Sequence, residues 1–252
     1  RSTLFPYTTL FRSRSTFGEG DAQKEYIIPL TGRVFGCNNI NGTPTGNVRV
    51  EVYSTRQADE DGKLISNTEH SPKSNNNRYE IQGVYGGGNL SDYLPADGKA
   101  TSVYIGECDV TSIEKVYGGG NSASVPTSKV TINGSYDIGY AFGGGNGGDL
   151  IKKDGVWYEN AGAIVISQAY IAPIGGKIGA VFGGSDAKGN CGSIVIDKTV
   201  TNPGCPLRLL RLYGAGNEAD VDNVDIIISG CSGGDNAEIE YVYGGSYNAN
   251  VE

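Results

Sequence analysis

β-branched residues recur in steps of two in six short segments: Val48-Arg49-Val50-Glu51-Val52, Val103-Tyr104-Ile105, Val130-Thr131-Ile132, Ile164-Val165-Ile166, Ile194-Val195-Ile196 and Val224-Asp225-Ile226. Bounded by Gly, Asn and Asp, this alternation predicts short strands with one buried face. A second apolar pattern interleaves with the first and ends on an aromatic residue. Four positions before that aromatic stand Ile81, Ile113, Ile138, Ile178, Leu209 and Ile239, with polar Thr31 in the first copy. Immediately before it stand Val34, Val84, Val116, Ala141, Val181, Leu212 and Val242. The two positions have opposite parity, so a strand carrying both must bend between them. No segment has the 3.6-residue period or the length of a helix.

The aromatic recurs as Phe35, Tyr85, Tyr117, Phe142, Phe182, Tyr213 and Tyr243, at intervals of 50, 32, 25, 40, 31 and 30 residues. Glycine follows it every time: Gly36, Gly86, Gly118, Gly143, Gly183, Gly214 and Gly244. Four residues after it come Asn39, Asn89, Asn121, Asn146, Asp186 and Asn217, and Tyr247 breaks the pattern in the last copy. Each copy is thus two strands and two turns, too little apolar surface to stand alone, so it must stack on its neighbours. The expected fold is all-β: a β-solenoid, a single-stack parallel β-helix of about seven coils spaced about 4.8 Å apart, hence a rod about 30 Å long. The glycines are expected to permit positive φ and close approach of successive backbones. The Asn side chains are expected to bond along stacked turns, and the aromatics to form a column. Spacing leaves open the handedness, the cross-section, and whether that column faces inward or flanks the turn.

Composition narrows the function classes. The chain has 252 residues, 40 of them Gly, and a net charge of -8, which disfavours a nucleic-acid partner. No apolar run approaches the roughly 18 residues of a membrane span. There is no Met and the chain starts Arg1-Ser2, so it reads as a fragment, truncated at both ends. Residues 1–13, RSTLFPYTTLFRS, resemble the codon-by-codon translation of a common sequencing adapter and read as an artefactual leader. Residues 14–30 form a lead-in and 31–252 the repeat domain.

Candidate chemistry is sparse. Cys37, Cys108, Cys191, Cys205 and Cys231 have no metal-ligand spacing, and His70 is the single histidine. Small residues filling turns or core is the preferred reading of the cysteines, with Cys191 and Cys205, flanking Pro203-Gly204, the one pair suited to a local bridge. Gly144–Ile151 fits the GGxGxDxU calcium pattern through Asp149, but that site needs tandem nine-residue repeats. Gly143, Gly145 and Gly148 match GxGxxG without a following helix. No metal and no cofactor are expected. A polysaccharide lyase or glycosidase needs paired acidic residues on an open cleft, and Asp109 and Asp225 do not line up with acidic equivalents in adjacent copies. A triad around His70 is implausible in its hydrophilic loop. No catalytic residue is nominated.

The long intervals hold insertions. Residues 54–78, 90–101 and 149–161 read as exposed loops and possible binding surfaces, the last carrying Trp157 and Tyr158. Trp157 reads first as a lid over the flank and second as a platform for a sugar ring.

The whole set, VFGCNN at 34, VYGGGN at 84 and 116, AFGGGN at 141, VFGGSD at 181, LYGAGN at 212 and VYGGSY at 242, resembles the repeats of uncharacterised VYGGGN-repeat surface proteins of Bacteroidales over residues 31–252. The resemblance implies secretion and display at the cell surface and supplies no catalytic residues. The expected function is a non-enzymatic extracellular scaffold, stalk or adhesin-like, with glycans or host or bacterial surface proteins as partners. The alternatives are a β-helix polysaccharide lyase or glycosidase, or a carbohydrate-binding module using Trp157.

Overall fold

Strands that bury one face and cannot close a core alone pair side by side. The computed structural model describes residues 12–17, 24–29, 32–55, 79–95, 97–148, 151–153, 156–158, 163–229 and 237–249. Among them there is no helix, and none long and apolar enough to cross a membrane.

Two parallel sheets make up the body. The first contains β4 (Val48–Val52), β6 (Thr101–Ile105), β8 (Thr127–Ile132), β12 (Ala163–Pro173), β14 (Gly189–Lys198) and β16 (Val224–Ile228). The second contains β3 (Gly32–Phe35), β5 (Ile81–Tyr85), β7 (Ser112–Tyr117), β9 (Asp137–Phe142), β13 (Gly176–Phe182), β15 (Leu207–Tyr213) and β17 (Glu238–Tyr243). In each sheet the spatial order follows the chain order, and the six strands of the first sheet alternate along the chain with the seven of the second. Two antiparallel pairs lie outside them: β1 (Arg12–Phe17) with β2 (Lys24–Pro29), and β10 (Ile151–Lys153) with β11 (Val156–Tyr158). The 149–161 insertion is therefore in part a hairpin and not a plain loop; Asp154-Gly155, between its strands in the sequence, is a two-residue hairpin signal. Residues 1–11 and 56–78, with His70, lie outside the described residues.

The core is shared by the inner faces of both sheets. Val50, Val103, Val130, Ile171 and Ile194 from the first meet Val84, Val116, Ile138, Ile178 and Leu212 from the second. The parity conflict resolves in the second sheet. Ile138 pairs with Ile178 and Tyr140 with Ala180, but the residues between, Gly139 and Gly179, drop out of the register. The same position drops out between β5 and β7 and between β13 and β15. This break turns both the Ile and the Val into the core.

The glycine after each aromatic is needed for proximity and not for φ. The positive-φ glycines are Gly42, Gly98, Gly147, Gly176 and Gly189, none of them the invariant motif position. A Cβ on Gly36, Gly86, Gly118, Gly143, Gly183 or Gly214 would instead strike the carbonyl oxygen of the equivalent glycine in the next copy, while Gly244 has open space. The amide of each of these glycines donates to the next copy's aromatic carbonyl, as from Gly118 N to Phe142 O at 3.0 Å and from Gly143 N to Phe182 O at 2.9 Å. Buried hydroxyls from the first sheet take up the glycine carbonyls. Thr101 Oγ1 donates to Gly118 O at 2.8 Å and Ser128 Oγ to Gly143 O at 2.6 Å, so the close approach leaves these acceptors satisfied.

One cysteine expectation is overturned. The disulfide joins Cys108 to Cys205, whereas Cys191 is a free, buried thiol. Residues 199–206 run back across earlier turns. Asn202 Nδ2 donates to Asn133 O at 2.8 Å, Cys205 O accepts from Gly176 N at 3.2 Å, and Cys205 then reaches Cys108 in the turn after β6. This strap crosses the turns of two intervening copies, so proximity in sequence to Cys191 did not decide the pairing.

Candidate functional site

Each aromatic side chain points away from the shared core because it follows a core-facing Val. Phe35, Tyr85, Tyr117, Phe142, Phe182, Tyr213 and Tyr243 lie on the outer face of the second sheet. Consecutive ring centroids are 4.5, 4.7, 5.0, 4.9, 4.7 and 4.8 Å apart. Their planes are nearly parallel, and the five rings from Tyr85 to Tyr213 are buried in a cluster of their own. Stacked pairs of this kind contribute about 0.5–1.5 kcal/mol each beyond burial.

What covers the column is the turn that follows it. Its backbone is paired copy to copy, as in Asn121 N to Gly88 O and Asn146 N to Gly120 O. The amide side chains form a one-way chain of donors. Asn89 Nδ2 donates to Asn39 Oδ1, Asn121 to Asn89 and Asn146 to Asn121, each at 2.8 Å.

Asp186 interrupts this chain, since a carboxylate has no proton to donate. It accepts on Oδ1 from Asn217 Nδ2 at 2.9 Å, and on Oδ2 from Lys115 Nζ at 2.9 Å. The Tyr117 hydroxyl sits 2.9 Å from the same Oδ2 and 3.1 Å from Asn146 Oδ1, one donor between two acceptors. Asp186 is buried and Lys115 partly exposed, so a single carboxylate ties copy three to copies five and six. Asp186→Ala would leave Lys115 and Asn217 short of an acceptor; we expect a loss of about 1–3 kcal/mol, with Asp186→Asn milder, read as a shift of the urea midpoint.

Beside this hub the outer face sinks into a recess of about 450 Å³ lined by Tyr140, Ala180, Phe182, Arg211, Asn217 and Tyr247, with Lys115 and Asp186 at its wall. The small Ala180 lies between Tyr140 on β9 and Arg211 on β15, its register partners. Tyr140 is 46% exposed and Tyr247 66% exposed, the latter edge-on to Tyr213 with centroids 5.6 Å apart. A wider, shallower depression continues from it over Asp137, Lys177, Arg208, Glu238 and Glu240, where Lys177 Nζ lies 3.6 Å from Asp137 Oδ1. Sequence reasoning missed Ala180 and Arg211, because that position varies freely among copies. Tyr247 was visible as a broken pattern but not as a wall.

The remaining reactive groups are quiet. Burial pushes the Cys37 thiol up to about 12 and the Cys191 thiol up to about 11. Native protein at pH 8 should therefore leave Cys191 unalkylated, and denaturant should make it react at the rate of a free thiol, as read by mass spectrometry. On the outer face of the first sheet Tyr170 donates to Asp197 Oδ2 at 2.7 Å under the Lys129 ammonium, which lies 5.2 Å from the ring centre. Hydrogen bonds from Thr199 and Tyr170 hold the Asp197 carboxyl below the usual range. Asp225 is exposed opposite Val195 and Asp109 is exposed after β6, so neither meets an acidic neighbour in register. Among the described residues no three His, Cys, Asp or Glu side chains converge as a metal site. Trp157 and Tyr158 lie in β11, and their side chains fall outside the described residues. Comparison with protein-family models, curated proteins and solved structures returns no match to this chain.

Proposed function

We propose that the chain is a non-enzymatic extracellular β-solenoid, a parallel β-helix that serves as a stalk or adhesin-like scaffold and presents ligands to its outer face. The observation that carries this reading is the seven-ring column with its amide chain. The rings stack copy on copy from Phe35 to Tyr243 and the amide chain joins Asn39 to Asn146, the construction expected of a quasi-one-dimensional stack. Among the described residues the polar side chains of the ladder bond one another, as Asn121 does Asn89 and Asn217 does Asp186. A disulfide spanning several coils supports an oxidising compartment, hence export and surface display. Circular dichroism should show β-structure without substantial helix, and incubation with uronate-containing and neutral polysaccharides should release no new reducing ends or unsaturated sugars. Substantial helix would overturn the solenoid, and product release would favour a lyase or glycosidase.

A further inference from the structure

Both departures from asparagine at the ladder position, Asp186 and Tyr247, line the same recess. They create groups that the other coils use up internally. In copies one to three the amide oxygen of the Asn accepts from the Asn of the next copy. Asn217 spends its Nδ2 on Asp186, and Tyr247 stands where the next amide would donate to its Oδ1. Asn217 Oδ1 thus opens toward the recess as an acceptor. Arg211 is exposed, and among the described residues it has no ion-pair partner within 4.0 Å. Lys115, by contrast, is neutralised by Asp186. On a chain of net charge -8, the recess therefore offers a guanidinium without an ion-pair partner among the described residues, an open amide acceptor, and aromatic surface from Tyr140 and Tyr247 around the gap at Ala180.

We propose that this recess binds an acidic saccharide, a pyranose bearing a carboxylate. A sugar ring has an apolar face of C–H groups and a rim of hydroxyls, so its face lies against Tyr140 or Tyr247 while a hydroxyl donates to Asn217 Oδ1. The carboxylate takes the planar fork of Arg211, a bidentate geometry that lysine does not reproduce. Ala180 leaves the space, and the shallow depression alongside accommodates further sugar units. An acidic peptide would satisfy Arg211 but has no flat polyhydroxylated ring for the two exposed tyrosines. The inference rests on the scaffold reading only in supposing binding without turnover.

Titration calorimetry of the full chain with an oligogalacturonate, with the neutral galactose oligomer and with polyglutamate tests it. Binding is expected for the uronate oligomer, at least tenfold weaker for the neutral one and for polyglutamate. Arg211→Gln and Tyr247→Ala, both at exposed positions, should each weaken uronate binding tenfold or more, and Ala180→Leu should block it. Absence of uronate binding by folded wild-type protein, equal binding of polyglutamate, or unchanged affinity in Arg211→Gln would overturn the proposal while leaving the scaffold standing. Uronate binding accompanied by cleavage would leave the proposal intact and overturn the non-enzymatic reading.

Discussion

Gly143→Ala is expected to destabilise the chain by about 3 kcal/mol or more, whereas Gly244→Ala should be neutral to within about 1 kcal/mol. Both glycines follow the aromatic of their copy. Their surroundings differ: a Cβ on Gly143 meets the Gly183 carbonyl oxygen inside van der Waals contact, and a Cβ on Gly244 meets nothing within 4 Å. The obstacle at Gly143 is backbone in the middle of a paired sheet, so no rotamer change relieves it. Relief requires parting two coils, which breaks the Gly143 N to Phe182 O bond and pulls Ser128 off the Gly143 carbonyl. Denaturant midpoints of the two variants measure the contrast. Equal midpoints would show that glycine serves chain flexibility here and not contact.

Removing the disulfide should cost about 5 kcal/mol, the chain-entropy value for a loop on the order of 100 residues. The bond closes a loop of 97 residues between turns that are not neighbours in the stack. Where strands pair only with their neighbours in a sheet, a local opening is ordinarily confined to its edges. The strap of residues 199–206 couples the turn after β6 to the turns that follow β8 and β12. Cys205→Ser, or the wild type under reductant, should show a lowered melting temperature. Amide exchange should rise first in residues 199–206 and in the turns of Asn133 and Gly176 that the strap covers. Unchanged exchange there would mean that the strap is held by Asn202 alone.

Much of the architecture was legible because it is repetitive. Alternating Val and Ile mark strands wherever one face is buried, and seven aromatics at one motif position pair in register because parallel strands place like beside like. The parity conflict between Ile and Val foretold a bend, which the break at Gly139 and Gly179 supplies. The chain's own chemistry hid the rest. Which side the aromatics take depends on the turn folding back over them, information carried by Asn and Asp contacts and not by period. The Cys108 partner depends on a strap running against the direction of stacking, so a 14-residue proximity to Cys191 was misleading. The recess arises at positions where copies differ, and a method built on likeness passes over such positions. Candidate sites on residues 56–78 and on Trp157 remain expectations of the sequence.

The one-way chain of amides sets which copies are interchangeable. Where Asn donates to Asn, each copy presents its neighbours with the same acceptor on one side and the same donor on the other, so a copy could be duplicated or removed and the two cut ends would still match. Around Asp186 this modularity ends. Its carboxylate accepts from Lys115 two copies earlier, and the one proton of Tyr117 lies between it and Asn146 Oδ1, which Gly148 N also reaches at 3.3 Å. Excising the copy between Tyr117 and Phe142 would change the spacing of all these groups. The segment from Lys115 to Asn217 therefore tolerates rearrangement only as a block, a fixed word in an otherwise repetitive text.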